Sequence, residues 1–482
     1  MTQRRRSSTR RLSYSEARGA EATHAPLPER PLHVNDLPDA LLLEIFRQLA
    51  RLPPVTTDEE QALYARGVLP FRTFEFPGEC HPGLRAYPFL AQVCRHWKGV
   101  LESREALPAL WSELVVDFSH ELITGVHVPV RWSDVRPSDE EFREAFAAVR
   151  LQSHRLVDFV RERRHVLRRL TLTNSEGYWA DDGEFVALAS KHTFNLGTLG
   201  ILLGMLGQLE ELSIIHCNDL FGSGSPLSTI AMLRGLRSLA LEDLQCRIYR
   251  EPLAELGRLT QLTSLAVNST QRHGVFVFGI DCLPDTWKQL GSLQSLELRG
   301  NALLESLPDW LPGALPHLQS LDVSACSRLD LRCITAWTQL TTLSLQAMDL
   351  VWGATPPRLL TQAQQHGIVA RVKQLPDLSP LRRLAALNLA DNNLMEVPPW
   401  LLKMAGLEVV DVSGNFFLEC KQPLTQLQTF KRLRWLDLRA VHVEADSTYW
   451  SPDKCTTMQH IAALAKALRR RNRHVKVMYD TS

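Results

Sequence analysis

At 482 residues the chain is too long to enclose one ordinary hydrophobic core, so it holds either several domains or a repeat array. Hydrophobic residues make up 45% and charged residues 22%, ordinary soluble globular composition, and 54 Lys plus Arg against 53 Asp plus Glu leave a net charge of +1. That balance gives no electrostatic reason to expect nucleic acid or an anionic membrane as the main partner. The nine cysteines are odd in number and form no Cys-x-x-Cys pair. They argue against a disulfide framework and for a reducing compartment, cytoplasmic or nuclear.

Residues 1–30 hold Arg4, Arg5, Arg6, Arg10 and Arg11 among Ser, Thr, Ala and Pro, with almost no aliphatics. Such a segment cannot bury enough apolar surface to offset its ordering, which predicts a disordered basic tail. The same Arg- and Ser-rich composition is also that of an organelle transit peptide, whereas the apolar core of a secretory signal is missing. The most apolar later stretch, Leu196 to Leu206, is too short to span a bilayer.

Order is expected to begin near Leu37, with Pro38 suited to a first helical turn. Leu41, Leu42, Ile45, Phe46 and Leu49 then recur at helical spacing. A second stretch, Phe89, Leu90, Val93, Cys94, Trp97, Val100 and Leu101, repeats that spacing. Residues 51–86 between them are rich in Pro, Gly and charge and read as an insertion. Neither helix is long enough to stand alone, so the two must pack together or onto a partner. Residues 113–164 are expected to be a helical linker or an N-terminal cap.

From about residue 165 the pattern L-x-x-L-x-L-x-x-N/C recurs, with first positions at Leu167, Leu209, Leu236, Leu262, Leu293, Leu318, Leu340, Leu384, Leu407 and Leu433. Most offsets fall in or near the roughly 20–29-residue range of leucine-rich repeats. Two longer ones predict a degenerate repeat or an insertion around 176–208 and 351–383. The second and third aliphatics alternate in a short strand and point inward. The ninth residue turns the chain and must bond backbone groups left free there, a task for Asn301, Asn392 and Asn415, with Cys217 and Cys326 as variants. Leu244, Met348 and Val441 break the rule. Stacked repeats form a curved parallel sheet over 165–445, closed by a helix near 456–468 and a strand at 475–479.

Third, fifth and seventh positions point away from the core and line the concave face. The fifth positions are small and neutral at first (Thr171, Ser213, Ala240, Ala266), then become Glu297, Asp322, Ser344, Asn388, Asp411 and Asp437. Arg299 and Arg439 add seventh-position charge, and Trp435 is the large aromatic among the third positions. Glu297, Arg299, Asp322, Asn388, Asp411, Trp435, Asp437 and Arg439 are therefore the candidate target-binding residues, exposed aromatics being common anchors. The competing readings are solvated strand positions for the polar residues and packing under the terminal cap for Trp435. The run Arg469, Arg470, Arg471, Arg473, His474 and Lys476 reads best as cations at a helix C-terminus, and otherwise as a nuclear-import or nucleic-acid patch.

No phosphate-binding Gly loop, zinc-spaced Cys/His set or nucleophile elbow occurs, so no catalytic residue, cofactor or metal is assigned. Cys80-His81 is an isolated pair, short of the three or four ligands a zinc site needs.

Leu37-Pro38-Asp39-Ala40-Leu41-Leu42-Leu43-Glu44-Ile45-Phe46 resembles the first half of an F-box, and Val93-Cys94-Arg95-His96-Trp97 followed by Leu110-Trp111 resembles the second. Joined to the repeats, this order is similar to the F-box/leucine-rich-repeat family. The resemblance implies a small all-α F-box-like domain over 35–112 preceding an α/β solenoid. It also implies a substrate-recognition subunit of a cullin-RING ubiquitin ligase, the helices docking on a small adaptor and the repeats holding a target protein. By motif position the docking residues are Leu37, Pro38, Leu42, Ile45, Phe46, Val93, Cys94 and Trp97. The family joins its two halves by a short connection, whereas Ala50 to Tyr87 intervenes here. A rival expectation is a scaffold or signalling solenoid with no link to ubiquitin.

Overall fold

The computed structural model describes residues 37–51, 95–103, 111–117, 157–173, 196–215, 226–244, 250–269, 279–352, 373–415, 427–439 and 458–479. The basic tail and nearly all of the 51–86 insertion expected from the sequence lie outside them, as do Val93 and Cys94.

Two helices come first, α1 (Asp39–Arg51) and α2 (Arg95–Leu101). The Pro38 carbonyl accepts the Leu41 and Leu42 N–H groups and so opens α1. Leu42 and Phe46, one turn apart, meet Val100, Leu101 and Trp111 in a small core, with the Trp97 ring 4.9 Å from that of Phe46. Trp111 Nε1 donates to the Leu101 carbonyl at 3.2 Å, which fixes α2 to the chain that follows.

Next comes a 12-stranded parallel sheet in chain order. Its strands are β1 (Glu113–Asp117), β2 (Arg169–Thr173), β3 (Glu211–Ile215), β4 (Ser238–Leu244), β5 (Ser264–Ser269), β6 (Ser295–Glu297), β7 (Ser320–Asp322), β8 (Thr342–Ser344), β11 (Ala386–Asn388), β13 (Val409–Asp411), β14 (Trp435–Asp437) and β15 (Lys476–Met478). A side sheet joins β9 (Leu350–Trp352) to β10 (Lys373–Gln374) and β12 (Asn393–Leu394). Because β2 pairs directly with β3 and β8 with β11, both long offsets are insertions and no repeat is missing from the sheet.

The sheet starts one strand before the periodic pattern. Leu114 of β1 lies opposite Leu170, so Trp111 takes the place that Leu167 holds in the next repeat. The helical linker expected over 113–164 therefore opens with a strand, and its described helical part is residues 157–163. A Trp in place of the leading aliphatic, and Ser119 in place of the ninth-position Asn or Cys, hide this repeat in the sequence.

Leucines at the first, fourth and sixth positions, such as Leu293, Leu296 and Leu298, are buried in one continuous core running from Val160 to Val477. Each buried Leu is worth about 1.5–3 kcal/mol, too little for any repeat alone to offset its backbone ordering, so stacking is obligatory. The return segments use α3 (Leu196–Gly204) and shorter turns such as Asp285–Gln289 and Leu401–Lys403. At the far end α4 (Met458–Arg471) lays Ile461, Leu464, Ala465 and Leu468 on the last repeat, and β15 joins the sheet. The cap helix thus extends three residues past its expected end.

Candidate functional site

Register lines up the fifth-position side chains, from Thr171 to Asp437, on the sheet face opposite the leucine core. From β6 onward each strand stops at that position. The sixth and eighth N–H groups still reach the next repeat, as Leu389 does to the Asp411 carbonyl and Asp391 to that of Ser413, both at 2.8 Å. The seventh N–H turns away and needs another acceptor.

That acceptor is the fifth-position side chain itself. Asp322 Oδ1 accepts from Ser324 N–H and Asn388 Oδ1 from Ala390 N–H, both at 2.9 Å. Asp411 Oδ1 accepts from Ser413 N–H and Asp437 Oδ1 from Arg439 N–H, both at 3.0 Å. Short carboxylate and amide side chains bond backbone two residues on in this way and end the strand. In two repeats the preceding repeat's seventh residue does the same work, Asn268 Oδ1 for Arg299 N–H and Ser324 Oγ for Gln346 N–H.

The eighth residue is then left-handed: φ is 71° at Gly300, 57° at Ala325, 53° at Ala347, 52° at Asp391 and 65° at Gly414. The ninth-position asparagines bond as the sequence predicted. Asn392 Nδ2 donates to the Leu345, Leu389 and Ala390 carbonyls, while its Oδ1 accepts from Met348 and Leu350 N–H. Asn301 and Asn415 repeat the scheme. Cys326 substitutes by donating its Sγ–H to the Leu298 carbonyl at 3.0 Å, and burial pushes its thiol up to about 12, so it stays protonated.

The candidate target-binding residues are thus largely engaged with one another. Arg299 Nη2 lies 2.9 Å from Glu297 and its Nε 3.6 Å from Asp322. Asn388 donates to Gln346, which in turn donates to Asp391. Arg439 holds Asp437 at 2.9 Å, and Asp437 is only 1% exposed. Burial pushes the Asp411 carboxyl up to about 7, with the adjacent Asp437 carboxylate adding to the rise against the hydrogen bonds from Ser413. Burial likewise raises Asp322, opposed by Arg299. Trp435, expected as an exposed anchor, is 2% exposed and packs with Ala386, Val409 and Met478, beside the last strand. Sequence reasoning missed Gln346, Ser324 and Asn268, whose only visible signal was polarity at a seventh position.

Among the residues expected to dock an adaptor, Leu42 and Phe46 face inward, Leu37 and Trp97 are partly buried against the same small core, and Pro38 is exposed. The open stripe of α1 is Leu41, 53% exposed, with Ile45, 39% exposed. Positions 41 and 42 differ by about 100° around a helix, so motif spacing alone did not distinguish the inner stripe from the outer. Among the described residues no three His, Cys, Asp or Glu side chains gather as a metal site, and no helix is long and apolar enough to cross a membrane.

In-order parallel strands, one leucine core and an asparagine ladder define a leucine-rich-repeat solenoid. Residues 292–314 match the family model described as Leucine Rich Repeat. No curated protein matches the chain. Solved structures similar to it include TLR13 in complex with ssRNA13, at 20% identity over 58% of this chain and 36% of that one, TM-score 0.37. An internalin (inlF) from Listeria monocytogenes matches at 16% identity over 67% of this chain and 82% of its own, TM-score 0.35. A Leptospira interrogans LRR protein matches at 15% identity over 88% and 99%, TM-score 0.34. The chain spans about a third of the TLR13 chain's length.

Proposed function

We propose that the chain is a protein-interaction scaffold that holds a target against its concave face and performs no chemistry of its own. The carrying observation is the shared register, which sets successive side chains in fixed rows on a parallel sheet. A surface ordered before binding loses little freedom on binding. Polar groups in the C-terminal half are taken up by turns, so the open floor is the N-terminal half, where Ser213, Ala240 and Ser264 are small and partly exposed. Proximity labelling with the full chain tests this. Ala240→Arg should lose partners that Met232→Arg, altered in a return segment, retains. Identical partner sets for parent and Ala240→Arg would refute concave capture.

The exposed stripe of Leu41 and Ile45 on α1, with Pro38 just before it, favours a finer version, the substrate receptor of a cullin-RING ubiquitin ligase. An apolar helix stripe left open beside its own packed core is a docking feature. Leu41→Asp with Ile45→Asp should abolish co-purification with the family's adaptor while leaving the Phe46–Trp97 contact intact. Undiminished adaptor binding by that variant would remove the docking role from this stripe, and no adaptor binding by the parent leaves the scaffold without a ubiquitin link.

A further inference from the structure

Positive charge gathers where the array closes. Residues 427–439 and 458–479 contain ten Lys and Arg and a single acid, Asp437, already held by Arg439, while Glu408 just before β13 on the same edge pairs with Arg434 at 3.6 Å. The whole chain carries only +1, so all remaining residues together are net negative. In the sequence the cations fall in two distant runs, Lys431 to Arg434 and Arg469 to Lys476. The fold joins them along the edge where strands begin. Arg471 donates to the Gln428 carbonyl at 2.6 Å, the Asn472 side chain to that of Leu433 at 2.7 Å, and Lys476 N–H to that of Arg434 at 2.8 Å. The turn before β14, the end of α4 and the start of β15 therefore lie side by side. Arg382 and Arg383 hold the same place before β11 that Lys431 and Arg432 hold before β14.

The helix dipole accounts for Arg469, Arg470 and Arg471 at the end of α4. It does not account for Lys431, Arg432, Arg382 or Arg383, which belong to other elements. Lys431, Arg432 and Arg473 are exposed and have no side-chain hydrogen bond or ion pair among the described residues.

We propose that this edge binds an acidic protein segment, a short run of carboxylate side chains. The inference rests on the protein-capture reading and adds the chemistry of the captured segment and its place. Strands stand about 4.8 Å apart, so β11 to β15 covers about 14 Å, the reach of four or five extended residues at about 3.3 Å each. Seven of the ten cations are Arg, whose planar fork pairs with carboxylates in bidentate fashion. Nucleic acid draws its affinity from a longer track of about 6–10 phosphates, or from aromatic stacking, and Trp435 beside this edge is buried. A membrane would call for apolar side chains to insert, yet the exposed large ones among the described residues (Leu41, Ile45, Ile201 and Met232) all lie in the N-terminal half.

Fluorescence anisotropy with labelled hexaglutamate and the full chain tests the proposal. Binding should weaken with salt, be absent for hexaglutamine, and fall roughly tenfold in Lys431→Glu/Arg432→Glu/Arg473→Glu. If that variant melts early, Arg382→Glu/Arg383→Glu serves in its place, with roughly a threefold loss expected. No hexaglutamate binding, or equal binding by parent and variants, overturns the assignment. So does tighter binding of an oligothymidine or of phosphatidylserine vesicles that the same substitutions abolish. Such a failure leaves concave capture standing, because the Ala240→Arg comparison tests that reading independently.

Discussion

The two halves of the sheet share their leucines but end their strands differently. β1 to β3 run five residues, β4 seven and β5 six, whereas β6 to β8, β11 and β13 to β15 run three each. In the first half the fifth residue is Val115, Thr171, Ser213, Ala240 or Ala266, and the seventh stays in the ladder in β2 to β4, as Thr173 does opposite Ile215. In the second half Asp322, Asn388, Asp411 and Asp437 capture the seventh N–H and stop the strand. Acidity on the concave face is therefore mainly a device for ending strands. The half that looks richer in binding groups has fewer of them free.

The hardest way to break this contrast is to remove a ladder asparagine. Asn392→Ala leaves the Met348 and Leu350 N–H groups and the Leu345 carbonyl without that partner in a buried place, at a cost of about 3–5 kcal/mol. Hydrogen exchange should show faster amides around β8 and β11 and unchanged ones in β2 to β4. A uniform change across the sheet would mean the halves are not separable.

Next in size is Gly300→Ala. The added Cβ would collide with the Ser269 carbonyl oxygen at a φ of +71°, costing about 2–3 kcal/mol in a denaturation midpoint.

Asp411→Asn has a smaller, pH-dependent effect. Native Asp411 holds its proton up to about pH 7, well above the ordinary carboxylate range, so its ionisation costs stability as pH rises from about 4 through 7. Asn keeps the acceptor for Ser413 N–H and already serves at position 388. The variant should melt higher than the parent at pH 8, with the gap narrowing through about pH 5 and closing near pH 4. A gap that widens toward acid would reverse the assignment.

The smallest effect sharpens the picture. Ala325→Gly and Ala347→Gly relieve left-handed backbone and should each stabilise by about 1 kcal/mol in chemical denaturation.

Much of this was legible beforehand for a physical reason: leucine spacing sets register, and a buried turn demands a side chain such as that of Asn301, Asn392 or Asn415. What escaped notice lacked a distinguishing letter. A carboxylate that caps a turn is written like one facing water, so Asp411 and Asp437 read as a binding stripe. Ala325 and Ala347 give no hint of positive φ. Trp435 fits both an anchor and packing under the terminal cap until its neighbours Val409 and Met478 decide for packing, and β1 was concealed by Trp111 in a leucine's position.

Trp111 belongs at once to the first strand's repeat and to the core beneath α1 and α2, and its indole is pinned to Leu101. With Phe159 packed beside it against both cores, helices and sheet are thus soldered together instead of strung on a tether. Two proteins held at opposite ends would be kept at a set distance and angle, so the molecule would work as a measuring bar between them.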